Sequence, residues 1–284
     1  MRAYLKELII TAASILFLSL AVAAYFKAVS REKENSHPDA VYTLVPDNLG
    51  TLICVNRPHV LSEMIRHSSL RRILADEIPD IYLSIISATP QAPLIVFSFH
   101  PQGVVCYVQA PSKTTGPVVN DLLPERFKPY PPHEERSGGI DFYYYPDTEG
   151  RFFGYYIHNG VLAASYSRKL LEEAAARQQV GDISLPAAIN RLRLSASSNE
   201  PVNIIFRAGE LGVSDAGYLS ADLYMSGGSI YCRGSIDSGA FKGAPTLSGD
   251  TLFRNITDRY PYLKLEFQIE TEGEYIDYTA WTSR

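Results

Sequence analysis

The pattern of apolar and polar residues divides the chain into an N-terminal apolar segment and a longer region of short alternating elements. Residues 8–26 form a run of 19 residues without a charge, and basic residues lie on both sides of it. A helix of this length spans the ~30 Å hydrocarbon core of a bilayer. The run therefore predicts a transmembrane helix at 8–26, followed by a charged linker at 27–40.

A cleaved signal peptide is the alternative interpretation of the same run. Ala21-Val22-Ala23 has the small-x-small pattern of a cleavage site. The uncharged run, however, is longer than the 7–15 residues usual for a signal peptide. It also continues to Tyr25, where an interfacial aromatic residue is expected. We predict a membrane-bound, single-pass signal-anchor, with secretion after cleavage near Ala23 as the alternative.

The orientation of the anchor follows from its short basic head. Residues 1–7 are typical of a cytoplasmic head, and long C-terminal domains translocate largely regardless of flanking charge. The region 41–284 is therefore predicted to be one extracytoplasmic domain.

That domain reads as short strands separated by helices. Asn159-Gly160 predicts a type I′ hairpin turn, and Ser167 predicts the start of a helix by capping its first turn. Helices are expected from Pro58 onward and at 81–86, 118–123, 168–179 and 251–258. Strands are expected at 51–56, 94–99, 104–109, 140–145, 152–157, 161–166, 202–207, 218–225, 229–236, 263–269 and 275–281.

The predicted fold class is α+β. Consecutive hairpins indicate antiparallel sheet, which we expect to carry helices on one side. The order strand, helix, hairpin, helix, hairpin occurs from Thr51 and again from Val161. This indicates a duplicated unit with halves at 41–158 and 159–284; coincidence of common elements is the alternative.

Two groups of residues carry a resemblance to known sequences. Val45-Pro46-Asp47-Asn48 precedes an apolar strand that ends at Asn56 and leads into a helix. Residues 219–225 place Asp222 in one strand, and Gly234 lies in the strand that follows. This arrangement resembles bacterial single-pass membrane-anchored families of unknown function. The resemblance implies an extracytoplasmic domain and transfers no catalytic residue.

The amino-acid composition limits the classes of partner and ligand that the chain is expected to bind. With 46% hydrophobic and 20% charged residues the chain has a globular composition, and its net charge of −5 argues against a nucleic-acid partner. The three cysteines, Cys54, Cys106 and Cys232, lie in apolar or alternating stretches, which favours buried thiols over zinc ligands; one disulfide with a leftover thiol is the alternative.

A search for catalytic motifs names no chemistry. The sequence contains neither GxSxG nor HExxH, and its glycines lack the strand–loop–helix context of a phosphate site. His100 and His158 both fall at hairpin corners, where turn polarity explains them. We therefore predict no catalytic, cofactor-binding or metal-binding residues; a non-enzymatic role is favoured, and an enzyme with a site that the sequence does not reveal is the alternative.

An aromatic hairpin is the strongest candidate for a functional surface. Eight aromatic residues lie between Phe142 and Tyr156. Because strands alternate faces, one set is expected in the core and the other toward solvent or a partner. The predicted contact patch consists of Tyr143, Tyr144, Tyr145, Phe153, Tyr155 and Tyr156.

Three hypotheses of function follow. The first is a non-enzymatic, membrane-tethered extracytoplasmic module that contacts another envelope protein. The second is a small-molecule or glycan binder that uses the aromatic hairpin. The third is an enzyme whose site is assembled from scattered residues.

Overall fold

The computed structural model describes residues 39–67, 78–109, 112–148, 150–180, 185–207, 218–226, 229–237, 265–272 and 275–282. The helices are α1 Asp39–Tyr42, α2 Pro58–His67, α3 Asp80–Ala88, α4 Ser112–Gly116, a π-helix Pro117–Leu122, α5 Leu123–Arg126, α6 Arg168–Val180 and α7 Ala187–Ser195. The strands are β1 Thr51–Val55, β2 Leu94–His100, β3 Gly103–Gln109, β4 His133–Ser137, β5 Ile140–Pro146, β6 Phe152–His158, β7 Val161–Ser165, β8 Val202–Arg207, β9 Tyr218–Ser226, β10 Ser229–Asp237, β11 Leu265–Glu272 and β12 Tyr275–Thr282.

All of these strands belong to one 12-stranded sheet. Their order is β11-β12-β10-β9-β8-β1-β2-β3-β7-β6-β5-β4, and every neighbouring pair is antiparallel. The α+β class and the antiparallel sheet predicted from the sequence are confirmed.

Local signals placed two of the elements correctly. Asn159 and Gly160 adopt φ values of 47° and 74°, the positive values that a type I′ turn between β6 and β7 requires. Ser167 caps α6, because its Oγ accepts a hydrogen bond from the Leu170 backbone N–H at 3.4 Å.

Helices cover both faces of the sheet, which corrects the expectation of helices on one side. The first core lies beneath α1, α6 and α7 and includes Leu171 and Ile189. The second core lies beneath α2, α3 and the π-helix and includes Met64 and Ile85. Strand residues alternate between the two: Val96 belongs to the first core and Phe97 to the second. A sheet covered on both faces needs apolar residues at consecutive strand positions, as β2 and β7 have.

The strand order interleaves the two sequence halves. β7, from the second half, lies between β3 and β6, and β1, from the first half, lies between β2 and β8. β7 and β8 run in the same direction, separated by three strands, and α6 and α7 form the crossover between them over the first core. Both halves therefore contribute to one continuous sheet.

Four described elements, α1, α4, β4 and α7, were not predicted from the sequence, and the helix predicted at 118–123 continues through α5 to Arg126. β4, with the sequence HEERS, is a charged edge strand without apolar alternation, and α7 follows Pro186 in a segment that we had left unassigned. Among the described residues, no helix has the length and apolar composition needed to cross a bilayer. The segments predicted as head, anchor and linker up to residue 38, and the helix predicted at 251–258, lie outside the described residues.

Candidate functional site

Most of the aromatic hairpin is buried. Five of the six residues predicted as a contact patch are at most 5% exposed: Tyr144, Tyr145, Phe153, Tyr155 and Tyr156. Tyr143 is half-buried, and its ring stacks on that of Tyr155 with centroids 5.0 Å apart. The predicted patch therefore offers little surface for a partner in this structure.

Both faces of the aromatic hairpin are buried because each face packs into a different hydrophobic core. Tyr144 and Tyr156 belong to the first core, whereas Tyr145, Phe153 and Tyr155 belong to the second. The alternation of faces was predicted correctly, but helices meet both sets. The close packing needs a glycine in β6, because a Cβ at Gly154 would lie 2.7 Å from the Tyr144 ring.

A polar cleft of about 230 Å³ opens beside β1, between β8, α7 and the start of β2. It is the candidate functional site that the structure presents. The residues that line it are Tyr42, Cys54, Asn56, Pro93, Leu94, Arg193, Ala196, Ser198, Asn203 and Ile205. We call this space the β1 cleft.

One wall of the β1 cleft is a chain of hydrogen bonds that begins on α7. The Arg193 Nε and Nη2 both donate to Asn190 Oδ1, at 3.2 and 3.1 Å, which fixes the plane of the guanidinium. The guanidinium carbon lies 4.5 Å from the centre of the Tyr42 ring, in cation–π geometry. The Arg193 guanidinium and the Cys54 thiol both lie within hydrogen-bonding reach of the Tyr42 hydroxyl.

Burial keeps the two weak acids of this wall protonated. Burial raises the pKa of the Cys54 thiol to about 11, although the Tyr42 hydrogen bond and the Arg193 charge act in the opposite direction. Burial also raises the pKa of Tyr42 above its ordinary value, and Cys54 adds to the shift. At neutral pH the thiol is therefore not the thiolate that nucleophilic chemistry needs.

A second group of lining residues belongs to an amide network that joins the end of β1, the start of β8 and the middle of β9. Asn56 Nδ2 donates to Asn203 Oδ1 and to the Glu200 backbone carbonyl at 2.9 Å. Asn203 Nδ2 donates in turn to Asp222 Oδ1 at 2.7 Å and to the Ser197 carbonyl at 3.0 Å. These bonds set the orientation of both amides.

The sequence analysis singled out two residues of this network but did not predict that they are linked in space. Asn56 and Asp222 were the residues that carried the family resemblance, and Asn203 joins them in space. The register makes this possible, because Cys54 stands opposite Asn203 and Asn203 stands opposite Asp222. Tyr42 and Arg193 were not singled out, since only the folded chain brings them to Cys54.

A second groove lies on the other face, between α2 and α3, with a volume of about 500 Å³. Its two charged lining residues have surface partners: Arg66 pairs with Glu63 at 2.9 Å, and Asp80 lies 3.9 Å from Arg126. It is more open than the β1 cleft and lacks a comparable hydrogen-bond network in the described residues.

The cysteines and histidines do not converge on a metal site in the described part of the chain, where no group of three or more metal-ligating side chains is close enough to hold an ion. Cys54 and Cys106 are buried thiols on opposite faces of the sheet, Cys232 is half-buried, and none of the three forms a disulfide. His100 is buried at 8% exposure, so turn polarity, which we had taken as its explanation, does not account for it.

Comparison with known proteins shows a likeness of fold. No family model matches the sequence, and no curated protein matches it. Crystal form I of the protein TP0453 superposes with a TM-score of 0.51 at 10% identity, over 84% of this chain and 92% of the other. Crystal form III of the same protein gives a TM-score of 0.50 at 11% identity, over 85% and 93%. At this level of identity the likeness concerns the fold alone.

Proposed function

We propose that this chain is a membrane-tethered extracytoplasmic binding protein that takes up a small molecule in the β1 cleft, and that it is not an enzyme. The observation that carries the proposal is the cleft itself, which combines the Asn56–Asn203–Asp222 amide network with an Arg193 guanidinium that is oriented by Asn190. Preorganised polar groups around an apolar floor are typical of ligand sites. The apolar residues that line this cleft include Pro93, Leu94 and Ile205.

The protonation state of the cleft supports binding over catalysis. A neutral thiol and a neutral phenol can exchange hydrogen bonds with a ligand, but they are poorly suited to act as nucleophile or base. A cleft of about 230 Å³ is small, so the ligand is expected to be of fragment size. The hypothesis of a module that contacts another envelope protein depended on an exposed aromatic surface, and most of those aromatic residues are buried.

A rim-blocking variant tests this proposal. Ser198 is exposed and lines the cleft, whereas its neighbour Asn199 is exposed but does not line it. We would place the full-length protein in lipid nanodiscs and screen a library of small metabolites by ligand-observed NMR. Hits should bind the wild type and Asn199→Phe alike, and Ser198→Phe should weaken them by at least about tenfold.

The proposal fails if no compound binds the wild type. It also fails if Ser198→Phe and Asn199→Phe bind every hit equally well, because the ligand would then lie elsewhere on the molecule.

A further inference from the structure

We propose that the outer edge of β4 binds β4 of a second copy of this chain, so that two copies share one continuous sheet around a two-fold axis. This inference goes beyond the proposed function, because no residue of β4 lines the β1 cleft. β4 is the last strand at one end of the sheet, and none of the described strands pairs with its outer side. Four of its five residues are exposed, so the edge is open to a partner.

The turn between β4 and β5 determines which backbone groups of β4 face outward. The glycines at 138–139 have φ values of 56° and 81°, as in a two-residue type I′ turn, so Ser137 and Ile140 form a hydrogen-bonded pair. Hydrogen-bonded and non-hydrogen-bonded pairs alternate along an antiparallel ladder. The N–H and C=O groups of Glu134 and Arg136 therefore point away from β5, toward the outer side.

One antiparallel register joins these outward groups in two copies. When Glu135 stands opposite its own copy, Glu134 of each chain stands opposite the partner's Arg136. Each of these pairs exchanges both of its backbone hydrogen bonds, which gives about four bonds across the edge. Pro132, which has no N–H, and the turn at 138–139 limit the pairing to β4.

The charges of β4 are complementary in this register. Glu134 and Arg136 lie on the same face of the strand, so both pairs place a carboxylate beside a guanidinium. Asp141 stands opposite Arg136 within the same chain, with its Oδ1 3.5 Å from Arg136 Nε. Each side of the interface therefore carries a row of acid, base and acid, in which neighbours attract.

Glu135 meets its own copy at the centre of the interface, where two carboxylates repel each other. Arg168 on α6 offsets this repulsion, because its Nη2 lies 2.7 Å from Glu135 Oε1 in each copy. The centre therefore holds two acids and two bases.

Other registers of the same edge are disfavoured. Charged residues on an edge strand usually prevent pairing with further strands. A shift by two residues in either direction would place Glu134 or Arg136 opposite its own copy, without a counter-charge like that of Arg168 on the shared face. The charges of β4 thus select the register centred on Glu135.

The symmetry of this pairing is compatible with attachment of both copies to one membrane. Two identical antiparallel strands in one sheet are related by an axis perpendicular to the sheet, so the first core and α1 lie on the same side in both copies. The predicted anchors at 8–26 precede α1 in the sequence, and both can then enter the same bilayer. Tethering raises the local concentration, which favours association through a short edge.

Opposite charge reversals in two copies test the register. Glu134→Arg places like charges opposite each other in both pairs, and Arg136→Glu does the same with the other sign, so neither variant should associate with itself. A mixture of the two variants restores opposite charges in both pairs and should associate. Asp121→Arg changes the charge of an exposed residue outside the edge by the same amount, and it should associate as the wild type does.

Energy transfer in liposomes would measure the association. Full-length copies with donor or acceptor fluorescent proteins fused after Arg284 would be reconstituted together over a series of protein-to-lipid ratios. The wild type should show more transfer than randomly distributed molecules, and each single reversal should weaken association by at least about tenfold. Thermal unfolding would confirm that every variant is folded.

A cysteine at the two-fold axis tests the register without a charge reversal. Glu135→Cys places two thiols across a non-hydrogen-bonded pair, where Cα atoms lie about 4.5 Å apart and a disulfide can form. In His133→Cys the two thiols would lie about 13 Å apart, because His133 stands opposite the partner's Ser137. Mild oxidation should link Glu135→Cys into dimers beyond the wild-type level and should not do so for His133→Cys.

Three results would overturn the proposal. They are wild-type transfer no greater than that of random molecules, a Glu134→Arg variant that associates as well as the wild type, and a mixture of reversals that associates no better than each alone. Ligand binding in the β1 cleft should be the same in all variants, because the edge and the cleft share no residue.

Discussion

His100 is a buried histidine whose protonation opposes folding. Its Nε2 lies 2.9 Å from Ser98 Oγ, at the end of β2 over the first core. Burial lowers the pKa of His100 below its ordinary value of 6.5, and the charge of Arg177 acts in the same direction. Glu173 and the backbone of Asp47 and Asn48 act in the opposite direction without reversing the shift.

This shift predicts acid sensitivity of the fold. Below pH 6.5 the unfolded chain binds a proton on His100 more readily than the folded chain does. The free energy of unfolding should therefore decrease as the pH is lowered from 6.5 to the pKa of His100 in the folded state. Denaturant unfolding at a series of pH values from 8 to 5 would measure the loss. His100→Gln should flatten this part of the profile.

The matched control is His158→Gln, at the other hairpin corner, which leaves His100 in place and should keep the slope. A slope that is unchanged in His100→Gln would show that other groups cause the acid sensitivity.

At the scale of elements, Phe152 and Phe153 are adjacent residues with different environments. Phe153 is fully buried among Tyr82, Phe127 and Tyr166, with ring centroids 5.0–6.1 Å away, whereas Phe152 is 55% exposed. Phe153→Ala should therefore cost about 3–5 kcal/mol of unfolding free energy. Phe152→Ala should stay within about 0.5 kcal/mol.

Urea unfolding of the two variants would measure this difference. A large loss of stability in Phe152→Ala, or none in Phe153→Ala, would contradict the assignment of this strand to the second core. Tyr144→Ala and Tyr155→Ala extend the test, since they belong to different cores and both should destabilise the protein.

The same elements show why the sequence located the strands but misjudged their faces. β5 and β6 carry almost unbroken aromatic runs, and such a run is typical of a strand buried on both faces. We had treated the runs as two alternating sets with one set exposed. The helices that cover each face come from distant parts of the sequence, α6 over one and α3 over the other, and local patterning does not specify that packing.

For the whole molecule, the predicted anchor is tested by its behaviour with membranes. The uncharged run 8–26 should keep the full-length protein in the membrane fraction after a carbonate wash, because its transfer out of lipid would expose a largely apolar segment of 19 residues to water. Deletion of residues 8–26 should release the protein. A reporter active only after export, fused after Arg284, should be active.

Two results would contradict this topology. A soluble mature protein that begins near Ala24 would indicate a cleaved signal peptide, and a cytoplasm-only reporter that is active after Arg284 would reverse the orientation.

The strand order of the sheet and the position of the cleft could not be predicted from local sequence patterns. Hairpins such as β6–β7 join neighbours along the chain, and local turn signals predicted them. The pairing of β1 with β8 joins residues about 150 positions apart, and no local pattern encodes it. The cleft depends on that pairing, because Cys54 and Asn203 are opposite residues of β1 and β8.

The position of β1 also sets an order of assembly during synthesis. Residues 51–165 contain all seven strands from β1 to β4 in sheet order, so this block can form while the rest of the chain is still being made. Until β8 is available, β1 presents an apolar edge with unpaired N–H and C=O groups, which attracts other strands. Pairing of β8 with β1 satisfies the backbone groups of this edge and also completes the walls of the cleft. A chain halted between β7 and β8 would therefore be prone to aggregate and would lack the residues of β8 that line the cleft.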